Sequence, residues 1–306
     1  MTGEKILITG PAGQVAFPVA RALAKDNDVV GIARFGNQAD RERVEAAGIK
    51  TVKFDLAADS CDALDDDFTC VLNFAVAKSS DANFAYDLAA NAEGAGRLIY
   101  HTRKAKAFLQ CSSTAVYAYN GHNKLKESDP LGDSHLLLGL PTYSISKIAS
   151  ESVARFACAQ WNVPTVIARL NVPFGDNGGW PAYHLMAMME GQEIYLHSDK
   201  PNNYAPIHED DIIQQIEKLL DIAAVPAVTL NWGGSEEVSI ESWCEYLGEL
   251  TGLTPKFQYI DQMLGSVSPD LTLMHQLIGK TTVPWREGMR RMVRARQPAL
   301  PLRDAS

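Results

Sequence analysis

Apolar and polar positions change rhythm repeatedly along this chain. "KILITG" near the start is a short apolar run ending in glycine, as a strand buried on both faces does. In "QVAFPVARALAK" the residues Val15, Val19, Ala22 and Leu23 fall on one helical stripe. "DVVGIAR" then predicts a strand, "DRERVEAAG" an amphipathic helix, "TVKFDL" and "CVLNFA" two strands, "FAYDLAANAEGAGRLIYHTRK" one long helix and "AFLQCSS" another strand. A helix opening at Pro141 and the strand "PTVIARLN" extend the series. Strands and helices alternating over short connections predict an α/β fold: a Rossmann-type, doubly wound parallel sheet covered on both faces.

The rhythm breaks after Asn171. "VPFGDNGGWPAYH" reads as a loop rich in Gly and Pro. The segment "MAMMEGQEIYL" leads on to a helix in "EDDIIQQIEKLLD", where Asp210 and Asp211 suit the positive end of the helix dipole. "AVTLNWGG" predicts a strand, "SIESWCEYLGELTG" a helix and "KFQYID" a strand. The expected organisation is a dinucleotide-binding domain over residues 1–170 and 205–232, with a smaller C-terminal substrate-binding subdomain over 171–204 and 233–290. Residues 291–306 are expected to form a loosely held tail. There is no internal repeat and no low-complexity segment.

Composition narrows the partners. A net charge of −9 over 306 residues disfavours a nucleic-acid partner. The one basic cluster, Arg290, Arg291, Arg294 and Arg296, reads as a solvated helix face. Five scattered cysteines fit a reduced compartment and provide neither a disulfide framework nor a zinc site. His184, His197 and His208 lack ligand spacing, so no metal is expected. No apolar run approaches the ~20 residues of a membrane span. The opening segment does not read as a signal peptide, and a cytoplasmic location is expected.

Two stretches carry candidate chemistry. "ITGPAGQVA" sets Gly10, Gly13 and Ala16 at three-residue intervals between the first strand and first helix. Such a turn lets a pyrophosphate approach the backbone and reach the amide donors at the helix start. The second strand ends in Ala33 and Arg34, with no acid until Asp40. An acid there would bind the ribose 2′-hydroxyl of NAD, whereas arginine can fork onto a 2′-phosphate, so NADP is preferred over NAD. Asp55, ending "KFDL", either accepts from the adenine amino group or caps the next turn.

The second stretch is "PTYSISKIAS", with Tyr143 and Lys147 four residues apart on one helix face. An ammonium beside a phenol favours the phenolate, which makes a proton donor and acceptor. The spacing alone decides little, since Tyr100–Lys104 in "IYHTRK" repeats it. Only Tyr143 follows, by thirty residues, a strand ending in hydroxyl residues, from which Ser113 can reach the same substrate oxygen.

The glycine turn, "NFAVA", Asn91 in "NAEG", "CSSTAVY", "YSISK", "RLNVPFG" and "IHEDD" together resemble the extended short-chain dehydrogenase/reductase family, also called the NAD-dependent epimerase/dehydratase family. The resemblance runs in order over residues 5–290. It implies that Tyr143 is the acid/base, that Lys147 lowers its pKa and holds the nicotinamide ribose, that Ser113 orients the reacting oxygen, and that Asn91 supports the proton path. It assigns the cofactor wall to Gly10, Gly13, Gln14 and Val15, then Ala33 and Arg34, Asp55 and Leu56, Phe74 and Ala75, with Asn91 and Lys147. It also suggests a homodimer through the helices around 84–104 and 143–160.

Departures from the family pattern bear on the substrate. Thr114 and Ala115 stand where dehydratases resembling this family carry an Asp-Glu pair, so water elimination lacks its acid and base. Tyr204 and Ser266-Val267 stand where nucleotide-sugar members carry arginines. The candidate substrate pocket is Lys78, Ser113, Thr114, Tyr117, Asn171, Trp180, His184 and Tyr204, with Tyr119 and Phe174 nearby. This aromatic lining fits a largely apolar or cyclic small molecule. The expectation is therefore an NADP-preferring alcohol dehydrogenase or ketone reductase. A nucleotide-sugar epimerase with tightly bound NAD is the alternative, and a non-catalytic dinucleotide sensor is a further one.

Overall fold

The first half builds the sheet strand by strand. A computed structural model describes residues 1–79, 81–132 and 139–303. Its elements run β1 (Lys5–Thr9), α1 (Ala16–Leu23), β2 (Asp28–Ala33), α2 (Gln38–Ala46), β3 (Lys50–Lys53), β4 (Cys70–Asn73), α3 (Phe84–Leu88), α4 (Gly94–His101), β5 (Ala107–Ser113), α5 (Tyr143–Trp161) and β6 (Thr165–Leu170). There follow β7 (Pro173–Gly175), β8 (Gly178–Gly179), α6 (Trp180–Met189), β9 (Glu193–His197), β10 (Asn203–Tyr204), β11 (Ile207–His208), α7 (Glu209–Asp221) and β12 (Val228–Trp232). The chain closes with β13 (Val238–Ser239), α8 (Ile240–Thr251), β14 (Lys256–Ile260), α9 (Thr272–Leu277) and α10 (Trp285–Arg296).

Seven parallel strands lie in the order β12-β6-β5-β4-β1-β2-β3. This is the doubly wound α/β sheet expected from the alternation. Strand order reverses between β1 and β4, and the crevice at their carboxyl ends is where such sheets bind ligands. The continuous apolar runs of β1, β4 and β6 are explained by burial on both faces: Ile6 and Ile8 join α1 and α7 in one core, while Leu7, Val71 and Ile167 join α4 and α5 in another. A third core gathers Phe174, Leu185, Trp243, Leu247, Met289 and Val293 in the smaller part after the sheet.

Three sequence expectations need correction. The long helix expected from Phe84 is broken by a π-helical turn, Ala89–Glu93, that carries Asn91. The stretch read as a loop after Asn171 contains β7 and β8, and α6 begins within it at Trp180. Pro181 falls in the first turn of α6, where a missing N–H costs nothing. The tail does not begin at 291. α10 continues to Arg296, Arg291 pairs with Asp210 at 2.8 Å, and the Arg303 N–H donates to the Leu250 carbonyl at 2.8 Å. The last three residues lie outside the described ones.

Candidate active site

The glycine turn is held by its own backbone. Gly10 N–H donates to the Ile32 carbonyl at 2.8 Å, and Gly13 N–H to the Gly10 carbonyl at 2.9 Å. Gly10 sits at φ +65, and a Cβ there would come within 3.2 Å of the Ala75 backbone. The turn therefore needs glycine for both conformation and space. Below it a buried polar chain locks the strand ends together. Thr9 Oγ1 donates to Asn73 Oδ1 at 2.7 Å, Asn73 Nδ2 donates to Gln110 Oε1 at 2.8 Å, and the Ala75 N–H donates to Thr9 Oγ1 at 2.8 Å.

A cavity of about 400 Å³ opens over this turn. Gly10, Gly13, Gln14, Val15, Ala33, Arg34, Asp55, Leu56, Phe74, Ala75 and Asn91, all expected at the cofactor, line it. The volume, the backbone cradle and the strand ends fit a dinucleotide. Arg34 is not simply turned to solvent. Its Nη1 donates to the Tyr86 hydroxyl at 3.0 Å, and that hydroxyl donates in turn to the Asp55 carboxylate at 3.0 and 3.1 Å. Burial and the Asp55 carboxylate both raise the Tyr86 phenol above its ordinary range, so it remains a donor. Sequence reading missed Tyr86, which joins Arg34 and Asp55 from α3, 31 residues beyond Asp55.

A second cavity of about 440 Å³ adjoins the first, and Gln14, Val15, Phe74, Val76 and Lys78 line both. Ser113, Thr114, Tyr143, Lys147, Asn171, Trp180 and Tyr204 line the second. Ser113 ends β5, and Tyr143 is the first residue of α5, so strand end and helix start converge there. Burial raises the Tyr143 phenol, and a hydrogen bond from Ser113 pulls it back down. Lys147 is buried, and its Nζ donates to the Cys111 carbonyl at 2.8 Å. Burial lowers its pKa, while the Cys111 thiol and Glu151 counter that fall.

Asn91 holds Ala77 from both sides, accepting from its N–H and donating to its carbonyl at 2.7 Å each, and donates to Ser146 Oγ at 3.0 Å. The π turn thus fixes the strand-end segment that separates the two cavities. Tyr100 lies elsewhere, half-exposed on α4 and tilted against Trp161 at 5.0 Å.

Two expected pocket residues do not line the Tyr143 cavity. Tyr117 is buried, its hydroxyl donating to Asn231 at 2.6 Å and accepting from Arg169 at 3.0 Å. It lines instead a third cavity of about 410 Å³, with Tyr119 and His197, which shares Leu264 and Val267 with the second. His184 points into the third core, where its Nδ1 accepts from Trp243 Nε1 at 2.9 Å and burial pulls its pKa down to about 4. Phe174 is likewise core, edge-on to His208. Tyr183 and Leu264 were missed on the wall of the second cavity, and neither carries a local signal. No carboxylate and no guanidinium stand among the described residues lining it, where Lys78 and Lys147 are the cations.

Among the described residues no group of three or more His, Cys, Asp or Glu is placed to hold a metal ion, and no helix is long and apolar enough to cross a membrane.

A family model described as the NAD dependent epimerase/dehydratase family matches residues 6–228. No curated protein matches the chain in sequence. Among solved structures, UDP-glucuronic acid 4-epimerase from Bacillus cereus, in complex with UDP-glucuronic acid and NAD, superposes with a TM-score of 0.81 at 19% identity, covering 96% of this chain and 99% of that one. UDP-N-acetylglucosamine 4-epimerase from Methanobrevibacter ruminantium superposes with 0.83 at 16% identity, over 98% and 100%. UDP-glucose 4-epimerase from Thermotoga maritima superposes with 0.79 at 17%, over 96% and 99%. At these identities the likeness is one of fold.

Proposed function

We propose that this chain, which belongs to the NAD dependent epimerase/dehydratase family, is an epimerase acting at a secondary carbinol carbon of a nucleotide-sugar-like substrate. The fold likeness to 4-epimerases across nearly the whole of both chains, substrate-facing part included, carries this reading. It reverses the order of the two enzyme readings taken from sequence. A two-lobed space supports it, since the Tyr143 cavity and the third cavity share Leu264 and Val267 and together suit a ligand with two parts.

A bound nicotinamide would supply the hydride acceptor and donor. In the oxidative direction the Tyr143 phenolate takes the hydroxyl proton as the carbinol hydride departs, leaving a ketone. Ser113 donates to the same oxygen, and the Lys147 ammonium stabilises the phenolate by its charge. In the return direction Tyr143 gives the proton back while the carbon regains its hydride on the opposite face. Net oxidation state is unchanged, so the cofactor is regenerated within each cycle.

A second reading, the dehydrogenase or reductase of an apolar or cyclic substrate, is favoured by one observation: among the described residues no guanidinium lines the Tyr143 cavity. Tyr204 is fully committed, its hydroxyl donating to the Gly265 carbonyl at 2.8 Å and its ring edge-on to Trp180 at 5.1 Å. A diphosphate losing water there would find few counter-charges. A thermal-shift panel separates the readings, because occupancy adds stability with the logarithm of ligand excess. An epimerase should melt higher with at least one UDP-sugar, and should carry nicotinamide absorbance through purification. If only cyclic ketones shift the dinucleotide-loaded protein, the epimerase reading is lost.

For the cofactor, Arg34 in place of an acid supports NADP, while the Bacillus cereus UDP-glucuronic acid 4-epimerase structure holds NAD. Arg34→Ala should weaken NADPH binding by about tenfold and leave NADH little changed, if the guanidinium meets a 2′-phosphate. Fluorescence titration with each reduced dinucleotide checks this. Equal losses would assign Arg34 to holding Tyr86 and Asp55 instead.

A further inference from the structure

One turn beyond Lys147 on α5 lies Glu151, wholly buried, facing Arg169 of β6, which is 3% exposed. The pair is bidentate: Arg169 Nε donates to Oε1 at 2.9 Å and Nη2 to Oε2 at 2.8 Å. Ser112 Oγ donates to Oε1 at 2.6 Å, and Arg155 reaches Oε2 at 3.4 Å. Ser112 stands between Cys111, whose carbonyl accepts from Lys147, and Ser113, which bonds Tyr143. It is also the register partner of Arg169 across β5 and β6. The ion pair thus ties α5, which carries Tyr143 and Lys147, to β6 and, through Ser112, to the end of β5 that carries Ser113.

A buried ion pair is a poor way to stabilise a fold, because two well-packed apolar side chains do as well or better. Its placement suggests another use. We infer that Glu151, clamped by Arg169 and Ser112, is a positioning residue that keeps the buried Lys147 charged and aimed along α5 toward Tyr143. A buried ammonium tends to lose its proton, and a neutral lysine cannot favour a phenolate. Two groups favour the charged lysine, the Cys111 thiol with the larger effect and then Glu151. The Cys111 thiol is itself held neutral by burial, and Asp87 of α3 is taken up by Ser79 and Thr142. Arg169 prevents the Glu151 carboxylate from being buried alone.

The inference rests on reading Tyr143 and Lys147 as the proton-handling pair, and its test needs no substrate. The Lys147 titration can be followed by NMR of its side-chain carbon next to nitrogen, assigned by loss of the signal in Lys147→Met. Glu151→Gln should move the midpoint down by about one pH unit. Arg169→Gln, which leaves the carboxylate uncompensated, should move it up. A merely structural role predicts the opposite for Glu151→Gln, because loosened packing admits water and lets the midpoint rise toward the ordinary lysine value. A rise, or no change, overturns the inference. Should Glu151→Gln alone not fold, Glu151→Met with Arg169→Met removes the pair without stranding a charge, and a downward move, smaller because the Arg169 charge is lost with it, is required of it. The proton-pair reading is checked separately. Lys147→Met should raise the phenolate titration of Tyr143, isolated by difference from Tyr143→Phe, and if it does not, that reading falls whatever Glu151 does.

Discussion

Tyr143→Phe should lower turnover by ~10²-fold or more while dinucleotide binding persists. The substitution keeps the ring that fills the helix start and removes only the hydroxyl that meets Ser113. Nothing in the dinucleotide cavity depends on that oxygen, since Tyr143 lines the adjoining cavity and not the one over the glycine turn. The pH dependence should change with it. Burial holds the phenol above its ordinary range, so in the oxidative direction the wild-type rate climbs with pH as the phenolate forms. The residual rate of the variant should lack that climb. Tyr100→Phe is the matched control, because Tyr100 has a lysine at the same spacing but lies half-exposed against Trp161 and Arg103. If Tyr143→Phe keeps near-wild-type turnover and Tyr100→Phe does not, the proton carrier has been misassigned.

How far the sequence foretold this arrangement depends on the range of the forces involved. The glycine turn was legible because its constraints are local: Gly10 needs its positive φ within the same few residues that form the motif. The parallel sheet was legible because burial on both faces writes an apolar run into each strand. The π turn was not, because Asn91 earns its place through bonds to Ala77 and Ser146, 14 and 55 residues away. The start of α6 was misread because Gly and Pro dominate "GDNGGWPAYH", whereas Pro181 in a first turn opens a helix as readily as it ends one.

The pocket residues show the same limit. Ser113 and Thr114 sit at a strand end that the alternation located. Tyr117 and His184 are aromatic or polar residues in suitable stretches, but their side chains turn inward to Asn231, Arg169 and Trp243, and no sequence period records that choice. The Arg34–Tyr86–Asp55 chain draws on the ends of two strands and one helix, so each member looks like surface until they meet.

Trp243→Ala should cost stability and substrate affinity together while sparing the dinucleotide cavity. Trp243 is wholly buried on α8 and anchors the aromatic group behind the Tyr143 cavity. Its ring stacks on His184 at 5.7 Å, stands edge-on to Trp180 at 6.1 Å and tilts against Tyr204 at 6.2 Å. Truncating a buried tryptophan to alanine costs ~3–5 kcal/mol, because the cavity left behind closes only in part. It also strips the buried His184 Nδ1 of its donor, which adds to the loss. Trp180 and Tyr204 line the proposed substrate space, so relaxation into the void must pull that wall out of shape. The third core is separate from the two that clasp the sheet, which leaves the glycine turn in place. The expected result is a melting temperature lowered by several degrees, near-normal binding of reduced dinucleotide by fluorescence, and a rise in KM for whichever substrate the thermal-shift panel identifies. Trp243→Phe, which refills most of the volume, should recover much of the stability. If Trp243→Ala instead abolished dinucleotide binding in protein that still folds, the smaller part would have to be supporting the glycine turn, and the division of labour between the cores would be wrong.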